Sequence, residues 1–262
     1  MASPGPSAAP SSIRIREVGL SQPLLWLAAG WKDFLRALPP SLLHGLLFAV
    51  GGAAILAIAW GRFFLLAGAF SGFLIVAPIL STGLYELSRR LERNEPAGLV
   101  QVVGAWTSGV RCLIKMGVLL AAVGTLWVIA STLLIALFAD ESLGQLEAFL
   151  RKVVFAPDSS LFLFWTLAGG VMAALVFAAT VVSVPLLLDR DIQLAAAVNA
   201  SFDAVSSNPI AMGIWATIIM VLTFFAMATM LLGLIVILPV IGHATWHAYR
   251  DVVDASNLPE RH

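Results

Sequence analysis

Six long apolar runs constrain this chain more than any other feature of its sequence. The first covers residues 41–60 and contains no charged side chain in its twenty residues. A helix of that length is about 30 Å long, which matches the hydrocarbon thickness of a bilayer. The runs predict an all-α, polytopic membrane bundle of six transmembrane helices, arranged as three hairpins. The other five runs cover residues 63–87, 112–138, 161–188, 209–229 and 230–249.

The boundary between the last two runs rests on length. Residues 210–249 would form one helix of about 60 Å, which is too long for a single crossing. The same length suits a hairpin, so we place a tight turn near residues 231–233. The hairpin gives an even number of spans, and both ends of the chain then lie on the same side of the membrane.

The composition supports a membrane protein. The chain of 262 residues is 60% hydrophobic and 11% charged, whereas soluble domains are about 45–50% apolar and 25% charged. A net charge of zero gives no basic face for nucleic acid, so no nucleic-acid partner is expected. The single cysteine, Cys112, excludes an intrachain disulfide and a metal site built from cysteine alone.

A shorter amphipathic stretch precedes each predicted hairpin. In residues 21–40 the polar side chains Lys32, Asp33 and Arg36 occupy one predicted face. Such a helix is too short and too charged to span, so it should lie in the membrane interface. Comparable stretches precede the other two hairpins at 99–110 and 194–205, and a further one at 143–154 lies in the loop within the second hairpin. The apolar face of the first contains Leu24, Leu27, Trp31, Phe34, Leu35 and Leu38.

These elements suggest a threefold internal repeat of parallel units. Pro78, Pro185 and Pro239 each lie near the exit of the second span of a unit. A proline removes one intrahelical hydrogen bond, so each is expected to kink its helix. A single membrane domain at 13–254 would contain the repeat units 21–95, 96–192 and 193–254, between a disordered tail at 1–12 and a C-terminal tail at 255–262.

The distribution of cationic residues predicts the orientation. With six spans, three of the fifteen Lys and Arg residues, Arg62, Arg151 and Lys152, fall on one side, and the remaining twelve fall on the side of both termini. The positive-inside rule then places the N-terminus and the C-terminus in the cytoplasm. Five aromatic residues are expected to act as interface anchors: Trp26, Trp31, Trp106, Trp246 and Tyr249.

Five ionisable residues fall at the cytoplasmic ends of the predicted spans: His44, Glu86, Asp189, His243 and His247. The last two are four residues apart and share a helix face. Together the five could form a polar ring that binds a metal, a proton or a substrate. The alternative, which we favour, is that they reach the headgroup region and hydrogen-bond the backbone of turned helices. No cofactor is expected.

Two parts of the sequence carry a family resemblance. They are the terminal string from Leu238 to Asp251, with Gly-His-Ala-Thr-Trp-His-Ala-Tyr-Arg at 242–250, and Gly30-Trp31-Lys-Asp33 before the first span. They resemble a family of bacterial predicted integral membrane proteins of unknown function, domain of unknown function 2189. The resemblance implies an inner-membrane location and supplies no activity or cofactor. Some members are labelled as similar to cytochrome c oxidase subunit I, but four histidines are too few for haem–copper chemistry.

The sequence lacks the Walker A, GxGxxG, GxSxG and HExxH patterns. The first hypothesis is therefore a non-enzymatic scaffold, assembly factor or envelope-homeostasis component. Its partners would be the bilayer and, through small-residue faces such as Gly68 and Gly72, another copy or another membrane protein. The alternative is a small-solute transporter or channel, because kinked helices at repeat interfaces often line binding sites. A weaker alternative is a metal- or haem-binding redox partner that uses His243 and His247.

Overall fold

The computed structural model describes residues 13–59, 63–107, 110–138 and 160–261. Within these residues the chain is all-α apart from one short strand pair, which confirms the all-α part of the predicted fold class. The predicted tail at 1–12 and the predicted amphipathic stretch at 143–154 lie outside the described residues.

In the first half of the chain, α1 and α2 meet at a sharp bend. Ala37, between them, has φ −115° and ψ 43°, so it leaves the helical conformation. The prolines at 39 and 40 lie in the first turn of the second helix. Proline is tolerated there because the first-turn N–H groups have no intrahelical partner. The helices are α1 (Gln22–Arg36), α2 (Leu38–Ile58), α3 (Phe63–Leu80), α4 (Thr82–Glu92), α5 (Leu99–Thr107) and α6 (Arg111–Phe138).

In the second half of the chain, two turns end long apolar helices. Residues 181–182 interrupt the helix after Thr180. Met230 and Leu231 have φ angles of 53° and 68°, which is a left-handed turn near the predicted position. The helices are α7 (Ser160–Thr180), α8 (Ser183–Asp189), α9 (Leu194–Ser207), α10 (Pro209–Ala228) and α11 (Leu234–Val252).

Five segments of the described residues are long and apolar enough to cross a membrane, and they coincide with the first five predicted spans. The sixth predicted span falls on α11, which does not qualify. After Pro239 this helix carries His243, His247 and Arg250, and these polar side chains lower its mean hydropathy. The five segments are Leu38–Ile58, Leu65–Glu92, Arg111–Ile135, Ser160–Asp189 and Pro209–Ala228.

The spans pack tightly against each other at small residues and expose large ones outward. At Gly72 an added Cβ would lie 3.2 Å from the Gly124 carbonyl oxygen and closer still to Val128, so α3 and α6 approach closely there. The predicted small-residue face of α3 is therefore used within the chain. On the outer surfaces, Leu126 of α6 and Phe224 of α10 are each 66% exposed, as expected for side chains that face lipid.

The two ends of the described chain are joined. The strands β1 (Arg14–Ile15) and β2 (Val253–Asp254) pair antiparallel, with Arg14 opposite Asp254. The segment after β2 also packs on the protein, since the backbone N–H of Arg261 donates to the Asp189 carbonyl at 3.0 Å. These contacts hold α1, α8 and the end of α11 together at one end of the bundle.

Candidate functional site

The last helix, α11, is the central element of the site. Every residue from Leu238 to Trp246 is buried. Two glycines let neighbouring helices rest directly on its backbone. A Cβ on Gly30 of α1 would collide with Ala244, and one on Gly45 of α2 would collide with the Ile235 carbonyl. These close approaches bring polar side chains of α1, α2 and α4 against the histidines of α11.

A continuous chain of side chains results, which we call the polar junction: Asp33, Ser41, Ser88, His243 and His247. The Nε2 atom of His243 lies 2.9 Å from Ser41 Oγ, and its Nδ1 lies 2.7 Å from Ser88 Oγ. The Ser88 hydroxyl lies 2.9 Å from Asp33 Oδ2, and His247 Nε2 lies 2.8 Å from the same oxygen. The polar junction therefore connects four helices, α1, α2, α4 and α11.

The donor hydrogens of the polar junction can be compared with the number of its contacts. It makes five contacts in series, because Ser41 Oγ also lies 2.7 Å from the Ala37 carbonyl oxygen. With Asp33 ionised and both imidazoles neutral, the two hydroxyls and the two rings supply one hydrogen each, which makes four. Four hydrogens leave one of the five contacts without a donor. A single added proton, on the carboxylate or on the buried imidazole, would complete the series.

Asp33 is the only carboxylate of the polar junction, and it is 5% exposed. Burial by itself raises the pKa of this carboxyl group. The hydrogen bond and charge of His247 and the hydrogen bond from Ser88 act in the opposite direction and prevail, so the pKa of Asp33 lies below its ordinary value of 3.8. The Arg36 guanidinium lies 3.9 Å from Oδ1 and is partly exposed. Asp33 is therefore an ionised acceptor at neutral pH.

Two further carboxylates fix the end of α11 nearest the termini. Glu92 of α4 accepts hydrogen bonds from Trp246 Nε1 at 3.0 Å and from Arg250 at 3.0 and 3.1 Å. Asp251 accepts a hydrogen bond from Trp26 Nε1 at 2.7 Å. Each indole thus places its ring in the protein core and bonds a carboxylate at the polar edge, which satisfies its single donor.

Asp189, at the end of α8, is the centre of a separate buried network. The Tyr249 hydroxyl donates to Asp189 Oδ2 at 2.8 Å, and Arg190 Nε donates to it at 3.0 Å. The guanidinium groups of Arg93 and Arg250 lie 3.6 and 3.8 Å from this carboxylate. With a side chain 1% exposed, Asp189 is stabilised by cations and a phenol, and it does not contact the histidines.

The five residues predicted to form one polar ring are thus divided among separate places. His243 and His247 belong to the polar junction, where they are joined through Ser88 and Asp33. Glu86 accepts hydrogen bonds from Arg89 at 2.8 Å and Arg90 at 2.6 Å.

His44 forms a fourth environment, apart from the polar junction, the Asp189 network and the pairs of Glu86. Its Nε2 donates to the Leu80 carbonyl at 2.9 Å. Within the described residues its buried Nδ1 has no hydrogen-bond partner, and its ring packs against Trp106 and Phe48. This is the backbone hydrogen bond that the favoured interpretation expects of a residue near a turned helix.

Sequence reasoning missed Asp33, Ser41 and Ser88 as members of the site. It placed Asp33 on a polar face with Lys32 and Arg36. In the structure the buried side of α1 contains Trp26, Gly30 and Asp33, and the apolar residues Leu24 and Leu35 are more than half exposed. The available signal was that Asp33 follows Gly30 by three residues and so shares its face. A glycine on an otherwise apolar helix marks the side where another helix approaches.

The three prolines lie in different surroundings. Pro78 lies inside α3, two residues before that helix ends at Leu80. Pro185 is the third residue of the short helix α8, just after the interruption at 181–182. Pro239 lies inside α11, which continues without interruption to Val252. Their equivalence in a threefold repeat stays a prediction.

The five aromatic residues expected at the interface fall into two groups. Trp26, Trp246 and Tyr249 are at most 1% exposed, and each donates a hydrogen bond to a carboxylate of the protein. Trp31 and Trp106 are 48% and 43% exposed. Only this second group has the accessible ring surface that an anchor in the headgroup region needs.

The described residues contain no group of three or more His, Cys, Asp or Glu side chains arranged to hold a metal ion.

The long apolar helices define the class of protein: an integral membrane protein with several apolar spans. A family model described as predicted integral membrane protein, DUF2189, matches residues 64–189, so the resemblance to that family is confirmed there. The strings at 30–33 and 238–251 lie outside the matched part. No curated protein and no solved structure matches the chain.

Proposed function

We propose that this chain is a non-enzymatic scaffold of the bacterial inner membrane, acting as an assembly or envelope-homeostasis component. The observation that carries the proposal is the polar junction. All five of its side chains hydrogen-bond to a neighbouring helix, and two glycines bring α1 and α2 into close contact with the backbone of α11. Such an arrangement fixes helix positions, which is what a scaffold requires.

The proposed topology has six spans in three hairpins, with α11 as the sixth span and both termini in the cytoplasm. Its support is the distribution of Lys and Arg and the joining of the two chain ends through β1 and β2. Reporter enzymes fused after residues 62 and 150 should report the periplasm, and those fused after residues 93 and 262 the cytoplasm. A cytoplasmic signal after residue 62 would reject the topology.

The scaffold is tested by reconstitution. Full-length protein in liposomes that contain a pH-sensitive dye should dissipate an imposed proton gradient no faster than protein-free liposomes. The same preparation should keep the polar junction closed, so the backbone amides around Ser88 and His243 should exchange with deuterium far more slowly than those of exposed α5. Rapid exchange at the polar junction would contradict the scaffold.

A second candidate is a proton-linked transporter of a small solute. The observation that favours it is the hydrogen count, because four hydrogens serve five contacts and one further proton would complete the series. Here the liposomes should show proton flux, and Asp33→Asn should abolish it. Asp203→Asn is the matched control, since Asp203 is exposed on α9. Equal flux in both variants would rule out a path through the polar junction.

A further inference from the structure

A cationic cleft lies at the same end of the molecule, separate from the polar junction. It is bounded by α4, α5, the first turn of α6 and the segment after β2, and its volume is about 650 Å³. We call it the arginine cleft. Its charged lining consists of Arg89, Arg90, Arg111, Arg261, Glu86 and Asp191.

The charges of the arginine cleft do not balance, since its four guanidinium groups are matched by only three carboxylates, two in the lining and Glu95, which lies 3.3 Å from Arg90. Glu86 is shared by Arg89 and Arg90, and Asp191 is 3.0 Å from Arg261. Among the carboxylates that the structure describes, none lies within 4.0 Å of Arg111. The arginine cleft therefore carries an excess of about one positive charge, at Arg111.

A second observation also indicates a missing acceptor. The Nε atom of Arg261 is buried, and it has no hydrogen-bond partner in the part of the chain that the structure describes. A buried charged donor without an acceptor is costly, so such groups are normally satisfied by a partner. Arg261 and Arg111 both line the arginine cleft, so an anion there would lie beside both residues.

The chemistry of the donors favours a phosphate. The planar guanidinium donates two parallel hydrogen bonds to a phosphate, which is a stronger and more specific contact than a lysine makes. Basic pockets beside transmembrane helices on the cytoplasmic side are sites for anionic lipid headgroups. The predicted orientation places the arginine cleft on that side.

The neighbouring surface is apolar and indicates that the ligand has hydrocarbon chains. Helix α5 exposes Leu99, Val100, Val103 and Trp106, which are 46%, 78%, 53% and 43% exposed. Val100 also lines the arginine cleft. The anion site and the apolar face of α5 are therefore continuous, which suits a molecule with a phosphate at one end and acyl chains at the other.

We propose that the arginine cleft binds the phosphate of an anionic glycerophospholipid, with its acyl chains lying along the exposed face of α5. This site is independent of the scaffold proposal and of the polar junction. The ligand is held by Arg111 and Arg261. Arg89 and Arg90 remain paired with Glu86 and add to the positive electrostatic potential of the cleft.

Native mass spectrometry of the purified full-length protein tests the site. Wild type should bind one phosphatidylglycerol or diphosphatidylglycerol molecule at concentrations where phosphatidylcholine does not bind. Inorganic phosphate and glycerol 3-phosphate are added as competitors without acyl chains. If either displaces the lipid at equal concentration, the site is a phosphate site and the lipid assignment is overturned.

Arg111→Gln should weaken binding of the anionic lipid about tenfold, because it removes one charge-assisted contact. Arg14→Gln is the matched control, since Arg14 is exposed on β1, away from the cleft, and it should bind as wild type does. Val100→Asn tests the apolar face and should weaken lipid but not glycerol 3-phosphate. Equal lipid binding by wild type, Arg111→Gln and Val100→Asn overturns the proposal.

Discussion

The polar end of the bundle and its apolar spans are buried in different ways. In α4, every residue from Thr82 to Ser88 is buried, although this stretch includes Glu86. In the span Arg111–Ile135, only 28% of its most apolar stretch of 18 residues is buried. Its buried residues Leu113, Met116 and Leu120 lie on one side of the helix.

The contrast follows from the solvent. Lipid accepts large apolar side chains as readily as the protein interior does, so moving them from lipid into the protein gains little free energy. Polar groups and small residues have more to gain from contacts within the protein, because hydrocarbon offers neither hydrogen bonds nor close backbone packing. Substitutions at the polar end of the bundle should therefore have the largest effects.

The largest effect should come from breaking the contact between α2 and α11. Gly45→Leu places a side chain where the Ile235 carbonyl lies, so the two helices must separate, at a cost of about 3 kcal/mol or more. Gly213→Leu on α10 is the control, because an added Cβ there meets nothing within 4 Å. Thermal unfolding in detergent should show a large loss of stability for Gly45→Leu and almost none for Gly213→Leu.

Asp33→Asn should have the second-largest effect. It should lower the free energy of unfolding by about 3 kcal/mol, since it leaves His247 and Ser88 without their shared charged acceptor. The folded-state pKa of Asp33 is depressed, so its stabilisation is present above its ordinary value of 3.8 and is lost as the pH falls through the folded pKa. Wild type should therefore lose stability below about pH 4, and Asp33→Asn should lack that part of the loss. Lys32→Gln, an exposed neighbour, serves as the control.

The two histidines should differ from each other. His243→Ala removes a buried ring with two partners and should cost about 2 kcal/mol, whereas His247→Ala removes a ring with 27% side-chain exposure and should cost about 1 kcal/mol. Elemental analysis should find no stoichiometric metal in the wild type. Metal present in the wild type and lost in either variant would show that the pair are ligands.

The smallest effect should lie in the turn between α10 and α11. Met230 has φ 53° and is 80% exposed, so its side chain adds strain and makes few contacts. Met230→Gly should leave stability unchanged or raise it by up to about 1 kcal/mol, since glycine adopts this conformation without a Cβ penalty. A loss above that size would mean that the exposed side chain has a partner in the membrane.

The apolar spans were predictable from sequence because length and hydropathy alone define them. The composition of the polar junction was not, for a physical reason. Periodicity separates the apolar face of a helix from its polar face, but at a membrane boundary either face can be the inner one. On α1 the apolar Leu24 and Leu35 face outward, and Asp33 faces α11. The separation of Glu86 and Asp189 from the histidines depends on which arginines lie nearby in space, which spacing along the chain does not report.

The hydrogen bond between Asp33 and His247 joins residues 214 positions apart, and this separation has a consequence for biosynthesis. At a synthesis rate of about 5–20 residues per second, α1 emerges roughly 10–40 s before its partner helix exists. During that interval its carboxylate and glycine face have no native contact, and the membrane surface or a chaperone must accommodate them. Closure of the polar junction is therefore a late event, and a stop codon shortly before residue 238 would leave a chain with its first five spans but with its first helix undocked.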